Sequence, residues 1–221
     1  MRTGDRRDAT GESPERVGQR NLRTSPPDNE FPAGVVGTVL LGRTGDVAVG
    51  ISNLLAYSTG FQFTLTVRLR RTGPDLVGGR LFALVSSHGH PGVDIPVDDR
   101  LLLGLEYADS RRAANLYGTR PPETAADDDQ MMLLEQGGSG DEHRVDQHYW
   151  VSPLPPEGPV TVVLAWPGLG LPESRTVLDG TAIRVAAAGT RTLWPPQPST
   201  EPVPPPPPPR PASGWFAEPA G

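Results

Sequence analysis

The clearest pattern along the chain is FQFTLTVRLRR, where Phe61, Phe63, Leu65, Val67 and Leu69 alternate with Gln62, Thr64, Thr66, Arg68 and Arg70. Successive side chains of a strand leave opposite faces, so this period of two predicts a half-buried antiparallel strand with a polar, wet outer face. The preceding DVAVGISNLLAYSTG is a second β-branched run, and Ser58, Thr59 and Gly60 supply a short turn that joins the two as a hairpin. Upstream, AGVVGTVLLGRTGD predicts a strand over about Val35 to Leu41, closed by Thr44-Gly45-Asp46.

The pattern then breaks. GPDLVGGRLFALVSSHGHPGVDIPVDDR has no sustained alternation and reads as a long connection with one short helix near Leu81 to Val85. LLLGLEYADSRRAANLYG predicts a hairpin turning at Asp109-Ser110, and MMLLEQGGSGDEHRVDQHYWVS another with a Gly-rich tip around Gly137 to Asp141. GPVTVVLAWPG is a compact apolar strand from Val160 to Trp166, stopped by Pro167 and Gly168. Asp179 is placed to cap a short helix through Ala182, Ile183, Val185 and Ala186, because its carboxylate can accept from free first-turn amides. Roughly seven or eight short strands with frequent turns predict an all-β chain, a two-layer antiparallel β-sandwich of immunoglobulin-like or jelly-roll-like type with one or two short helices.

Polarity sets the expected limits of that domain. Residues 1–30 carry almost no apolar side chains and bury too little to offset the entropy of ordering, so they are expected to be disordered. Residues 31–195 form the sandwich. Residues 196–221 are a proline-rich tail in which missing amide donors and a fixed φ exclude helix and central strand. Its run Pro204 to Pro209 favours polyproline II and contains Pro205, Pro208 and Arg210 at the spacing that aromatic-lined grooves accept. With Trp215 and Phe216 near the end, the tail is a candidate docking segment for a protein partner.

Four pieces carry a resemblance: AYSTGFQFTLTVRLR, LEYADSRRAANL, HYWVSPLP and LAWPGLGLPESRTVLDG, in that order across about residues 31–195. Together they resemble an uncharacterised family of actinobacterial β-sandwich proteins. The resemblance implies a fold and a taxonomic setting, and no catalytic residues. In that family the hairpin tip usually reads Asp-Gly where this chain has Asp109-Ser110, a departure that leaves its turn type open.

Composition narrows the function classes. The 221-residue chain has no cysteine, which excludes disulfides, thiolate metal sites and a cysteine nucleophile, and fits a reducing compartment. With no signal-like start and no apolar run of about 18 residues, the expectation is a cytoplasmic protein away from membranes. A net charge of −6 argues against a nucleic-acid binder, which needs a basic field. All basic residues are arginine, a mark of GC-rich coding rather than of mechanism.

Candidate chemistry is sparse. Strand alternation in DEHRVDQHYWVS puts His143, Val145, Gln147, Tyr149 and Val151 on one face and Arg144, Asp146, His148 and Trp150 on the other, so its two histidines diverge. Asp146 and His148 share a face as a carboxylate-imidazole pair. SSHGHPGVD brings Ser86, Ser87, His88, His90 and Asp94 together, the residue types of a hydrolase or divalent-metal site, but outside a nucleophile-elbow context or a known metal spacing. Asp127 to Gln130 lack the interleaved calcium-loop pattern. No phosphate-binding glycine motif occurs, and no cofactor is called for.

Trp150 and Trp166 read as core anchors. Exposed, they would join Tyr57 and Tyr107 as platforms for sugar rings. The leading expectation is a non-enzymatic sandwich working through an unidentified protein partner, with an edge strand able to pair two copies. A hydrolase or metal enzyme and a small-ligand or carbohydrate-binding module are the alternatives.

Overall fold

The computed structural model describes residues 23–35, 37–71, 80–86, 95–117 and 130–195. Its strands are β1 (Glu30–Phe31), β2 (Ala33–Val35), β3 (Val39–Arg43), β4 (Val47–Ala56), β5 (Phe61–Leu69), β6 (Leu102–Tyr107), β7 (Arg112–Ala114), β8 (Met132–Gly140), β9 (Arg144–Ser152), β10 (Pro159–Trp166), β11 (Leu171–Asp179) and β12 (Arg191–Thr192). The helices are α1 (Arg80–Val85) and α2 (Gly180–Ala187).

Successive hairpins alternate between two sheets. The larger sheet has the order β2-β4-β5-β9-β8, with β3 also pairing β4, and the smaller has the order β11-β10-β6-β7. All their pairings are antiparallel. This is the expected all-β sandwich with short helices.

The alternation of β5 does what its period requires. Phe61, Phe63, Leu65 and Val67 are fully buried and face the core, where Phe63 stacks on Tyr149 of β9 with ring centroids 5.4 Å apart. Val49 and Ile51 of β4 join them from the same sheet, and Leu103, Leu105, Val160, Val162 and Leu164 come from the other. The sheets also join at the β3–β11 side, where Ser174 Oγ donates to the Leu41 carbonyl at 3.2 Å. The capping expectation for α2 holds: Asp179 Oδ1 accepts from Ala182 N at 3.0 Å, and Ile183 and Ala187 are buried.

Four local expectations change. The upstream strand is split into β2 and β3 rather than continuous to Leu41. Gly137 to Gly140 belong to β8 rather than to a hairpin tip; a bulge between Glu135 and Gly137 absorbs the register shift, and the turn falls at Asp141 to His143. His143 therefore sits in the turn and not on the Val145 face. Finally, residues 23–30 are packed on the domain, contrary to their expected disorder. Pro27 is buried, and the rest of the contact is polar: Arg23 O accepts from Trp150 Nε1 at 2.8 Å and from Ser152 Oγ at 2.6 Å, Asn29 Nδ2 donates to Trp194 O at 2.9 Å, and β1 pairs with β12. Composition alone misses such a contribution. The expected tail, residues 196–221, lies outside the described residues.

At the β6–β7 hairpin, Ser110 adopts φ 69°, the left-handed region that favours glycine. Ser110→Gly should relieve this conformation and raise stability by about 1 kcal/mol, read as a higher urea midpoint with an unchanged slope.

Candidate functional site

The outer face of the larger sheet holds Asp146 and His148. Both point the way the alternation requires, opposite Thr66 and Thr64 of β5. They do not form a pair. Asp146 accepts from Arg68 Nη1 at 2.9 Å, Arg68 Nη2 at 3.2 Å and Thr66 Oγ1 at 3.0 Å, while His148 Nδ1 lies 3.1 Å from Thr64 Oγ1. Thr66 continues the row to Ser52 Oγ at 3.1 Å. Burial alone would raise the Asp146 carboxyl, but the hydrogen bonds from Arg68 and Thr66 and the charges of Arg68 and Arg144 outweigh it and hold it below its usual range. This is a cross-strand ladder with its carboxylate already saturated by donors.

That face is not wet throughout. At one end Trp150, Tyr57, Met132 and Leu134 form a second buried cluster, with Tyr57 edge-on to Trp150 at 5.5 Å. Trp150, Trp166, Tyr57 and Tyr107 are all buried, so none of them offers a sugar platform. Trp150 and Trp166 are the anchors their strand positions implied, and Trp166 Nε1 donates to Asp99 O at 2.8 Å.

His143 is exposed in its turn, far in role from His148. Ser87, His88, His90, Asp94, Asp127, Pro205, Pro208, Arg210, Trp215 and Phe216 lie outside the described residues. Among the described residues no group of three or more histidines and carboxylates converges to hold a metal ion, and no helix is long and apolar enough to cross a membrane.

A different place in the fold is concave. α1 packs against β8 and β9, burying Leu81, Ala83, Leu84 and Val85, and Leu101 N donates to Leu84 O at 2.9 Å. Between the end of α1, the 3-10 turn Val97–Asp99 and the start of β6 lies a cavity of about 150 Å³. Leu84, Val85, Ile95, Leu101, Leu102 and Leu116 supply most of its wall, and Val97 and Leu116, both 55% exposed, are apolar groups left at the surface beside it.

The polar groups of this wall are Ser86, Asn115 and Arg100. Ser86 Oγ donates to Glu135 Oε2 at 2.9 Å, and Tyr149 OH donates to Glu135 Oε1 at 3.1 Å, so a buried carboxylate gathers two hydroxyls behind the cavity. Burial and the Glu135 charge push the Tyr149 phenol far above its usual range, which keeps it a donor. Asn115 spends both ends of its amide on the backbone, accepting from Leu103 N at 2.9 Å and donating to Leu101 O at 3.0 Å. These groups hold the wall in shape.

Of this set, only Ser86 stood among the sequence candidates. Glu135 has a faint signal, since strand alternation from Leu133 carries it inward. Asn115 and Arg100 have none: Asn115 sits on the return arm of the expected hairpin with no motif around it, and Arg100 in the polar run Asp98-Asp99-Arg100.

Asn115→Ala should leave two buried backbone groups unpaired and lower stability by about 2 to 4 kcal/mol in urea denaturation. Asp146→Asn should cost up to about 1 kcal/mol at neutral pH. Because the folded carboxyl titrates below its unfolded value of about 4, its contribution is present above that pH and is lost as pH falls through the folded value. The stability gap between wild type and Asp146→Asn should therefore close on acidification below about pH 4, as followed by denaturation at a series of pH values.

Compared with known protein families, curated proteins and solved structures, the chain matches none.

Proposed function

We propose that this protein is a small-ligand-binding module whose ligand occupies the cavity between α1 and the start of β6. The observation that carries this reading is an apolar cavity of about 150 Å³ whose surface-side residues Val97 and Leu116 are left exposed. A cavity of that size lined by aliphatic side chains accepts a benzene-sized guest. Burial of the guest's apolar surface supplies the affinity, and the polar groups of the wall orient it. Asn115 and the Ser86–Glu135–Tyr149 cluster maintain the wall and are not assigned to catalysis.

In this reading the proline-rich tail is a spacer or a docking segment for a protein partner, acting apart from the cavity. That assignment rests on sequence, through Pro205, Pro208, Arg210, Trp215 and Phe216.

Benzene is the simplest probe. At ten times its dissociation constant it should stabilise the fold by roughly 1.4 kcal/mol, raising the melting temperature by roughly 3 to 6 °C for a domain of this size. Amide shifts should concentrate at Leu84, Val85, Leu101 and Leu116. Leu84→Phe, which adds a ring into the space, should abolish the response, and removal of residues 196–221 should leave it intact. An unchanged melting temperature at saturating benzene, with no shifts at the cavity, would refute the reading.

A further inference from the structure

The cavity wall contains one cation with donors to spare. Arg100 follows the 3-10 turn Val97–Asp99, and its Nε donates to Ile95 O at 3.1 Å. That bond ties the guanidinium to another lining residue, and neither Nη atom makes a hydrogen bond or ion pair with a described residue. Arg68 pairs with Asp146, Arg111 with Asp109 and Arg144 with Asp141, whereas Arg184, like Arg100, bonds a backbone carbonyl, that of Pro155. Asp98 and Asp99 immediately precede Arg100 in the chain, yet neither forms an ion pair with it.

The consequence is chemical. A guanidinium is always charged at physiological pH and presents its donors in a planar fork that matches the two oxygens of a carboxylate. Here Arg100 is partly buried and lines a wall of leucine, isoleucine and valine side chains, where an ion pair is screened less than on open surface. Among the described residues of the wall Arg100 is the sole cation, which matches a single negative charge. Apolar walls and a fork left unspent among the described residues together describe an amphiphilic monoanion.

We infer that the ligand is a small organic carboxylate, with an aromatic ring or short aliphatic chain in the cavity and its carboxylate on the Nη atoms of Arg100. This deepens the small-ligand reading and rests on it. The apolar body follows from the volume and wall, and the charge follows from Arg100 alone.

Benzoate and benzamide separate the two parts, since they share a shape and differ in charge. With the full chain at low salt, titration calorimetry should show benzoate binding at least about tenfold tighter than benzamide, as expected for a charge-assisted pair in place of a neutral one. The preference should shrink in 0.5 M NaCl, where screening is short-ranged (about 4 Å). Amide shifts at Leu84, Ile95 and Leu101 should locate both probes. Arg100→Gln should weaken benzoate about tenfold while leaving benzamide within about twofold, and the wild-type comparison stands even where that variant folds poorly. Equal affinities, or tighter benzamide, would overturn the carboxylate inference and leave the cavity reading intact. Binding of neither probe would overturn both, as would benzoate binding without shifts at the cavity.

Discussion

The pairing of β5 with β9 is the constraint on which the rest of the structure depends. Its register runs without interruption from Phe61↔Val151 to Arg68↔Arg144. Because the side-chain period is two, a slip of one residue would turn every side chain to the opposite face. The observed register sets Tyr149 against Phe63 in the core, His148 against Thr64 and Asp146 against Thr66 on the outer face. It also fixes which way Tyr149 reaches, and so where Glu135 and Ser86 can meet its hydroxyl. Truncating a core ring such as Phe63 would typically cost about 3 to 5 kcal/mol, a large part of the stability of an ordinary domain.

Two polar systems border this strand, and they do different work. On the outer face, Asp146 is surrounded by Arg68, Thr66 and, through Thr66, Ser52. The Asp146 carboxylate already accepts from three donor atoms, so the ladder reads as a device of register rather than of chemistry. On the inner side, Glu135 and Asn115 bind buried hydroxyls and backbone groups at the edge of a cavity. Unpaired polar groups in such a place are costly, and satisfying them keeps the cavity's inner wall from collapsing. Arg100 differs, a cation whose Nη atoms make no bond to a described residue.

Much of the fold was legible because it was local. The β4–β5 hairpin, the turn at Asp109-Ser110, the stop of β10 at Pro167 and the Asp179 cap all depend on residues close in sequence. What escaped was long-range or compensated. β11 is a nine-residue strand with mostly exposed side chains, held by its pairing with β10 rather than by an apolar pattern. The bulge before Gly137 lets glycines continue β8 where composition suggests a loop. Residues 23–30 are held largely by long-range hydrogen bonds, of the Arg23 carbonyl and of the Asn29 and Glu30 side chains, which composition does not show.

The sequence by itself determined an antiparallel β-sandwich with short helices and the faces of β5 and β9, because strand periodicity and turn chemistry act over a few residues. Tertiary structure decided which hairpin joins which sheet, that four aromatic residues are buried, and that Ser86, Arg100, Asn115 and Glu135 gather around one cavity. These residues come from separate places in the chain: the residue after α1, the turn before β6, the turn after β7, and β8. Their convergence is set by how the sheets and helix pack, and no short-range pattern in the chain encodes that distance.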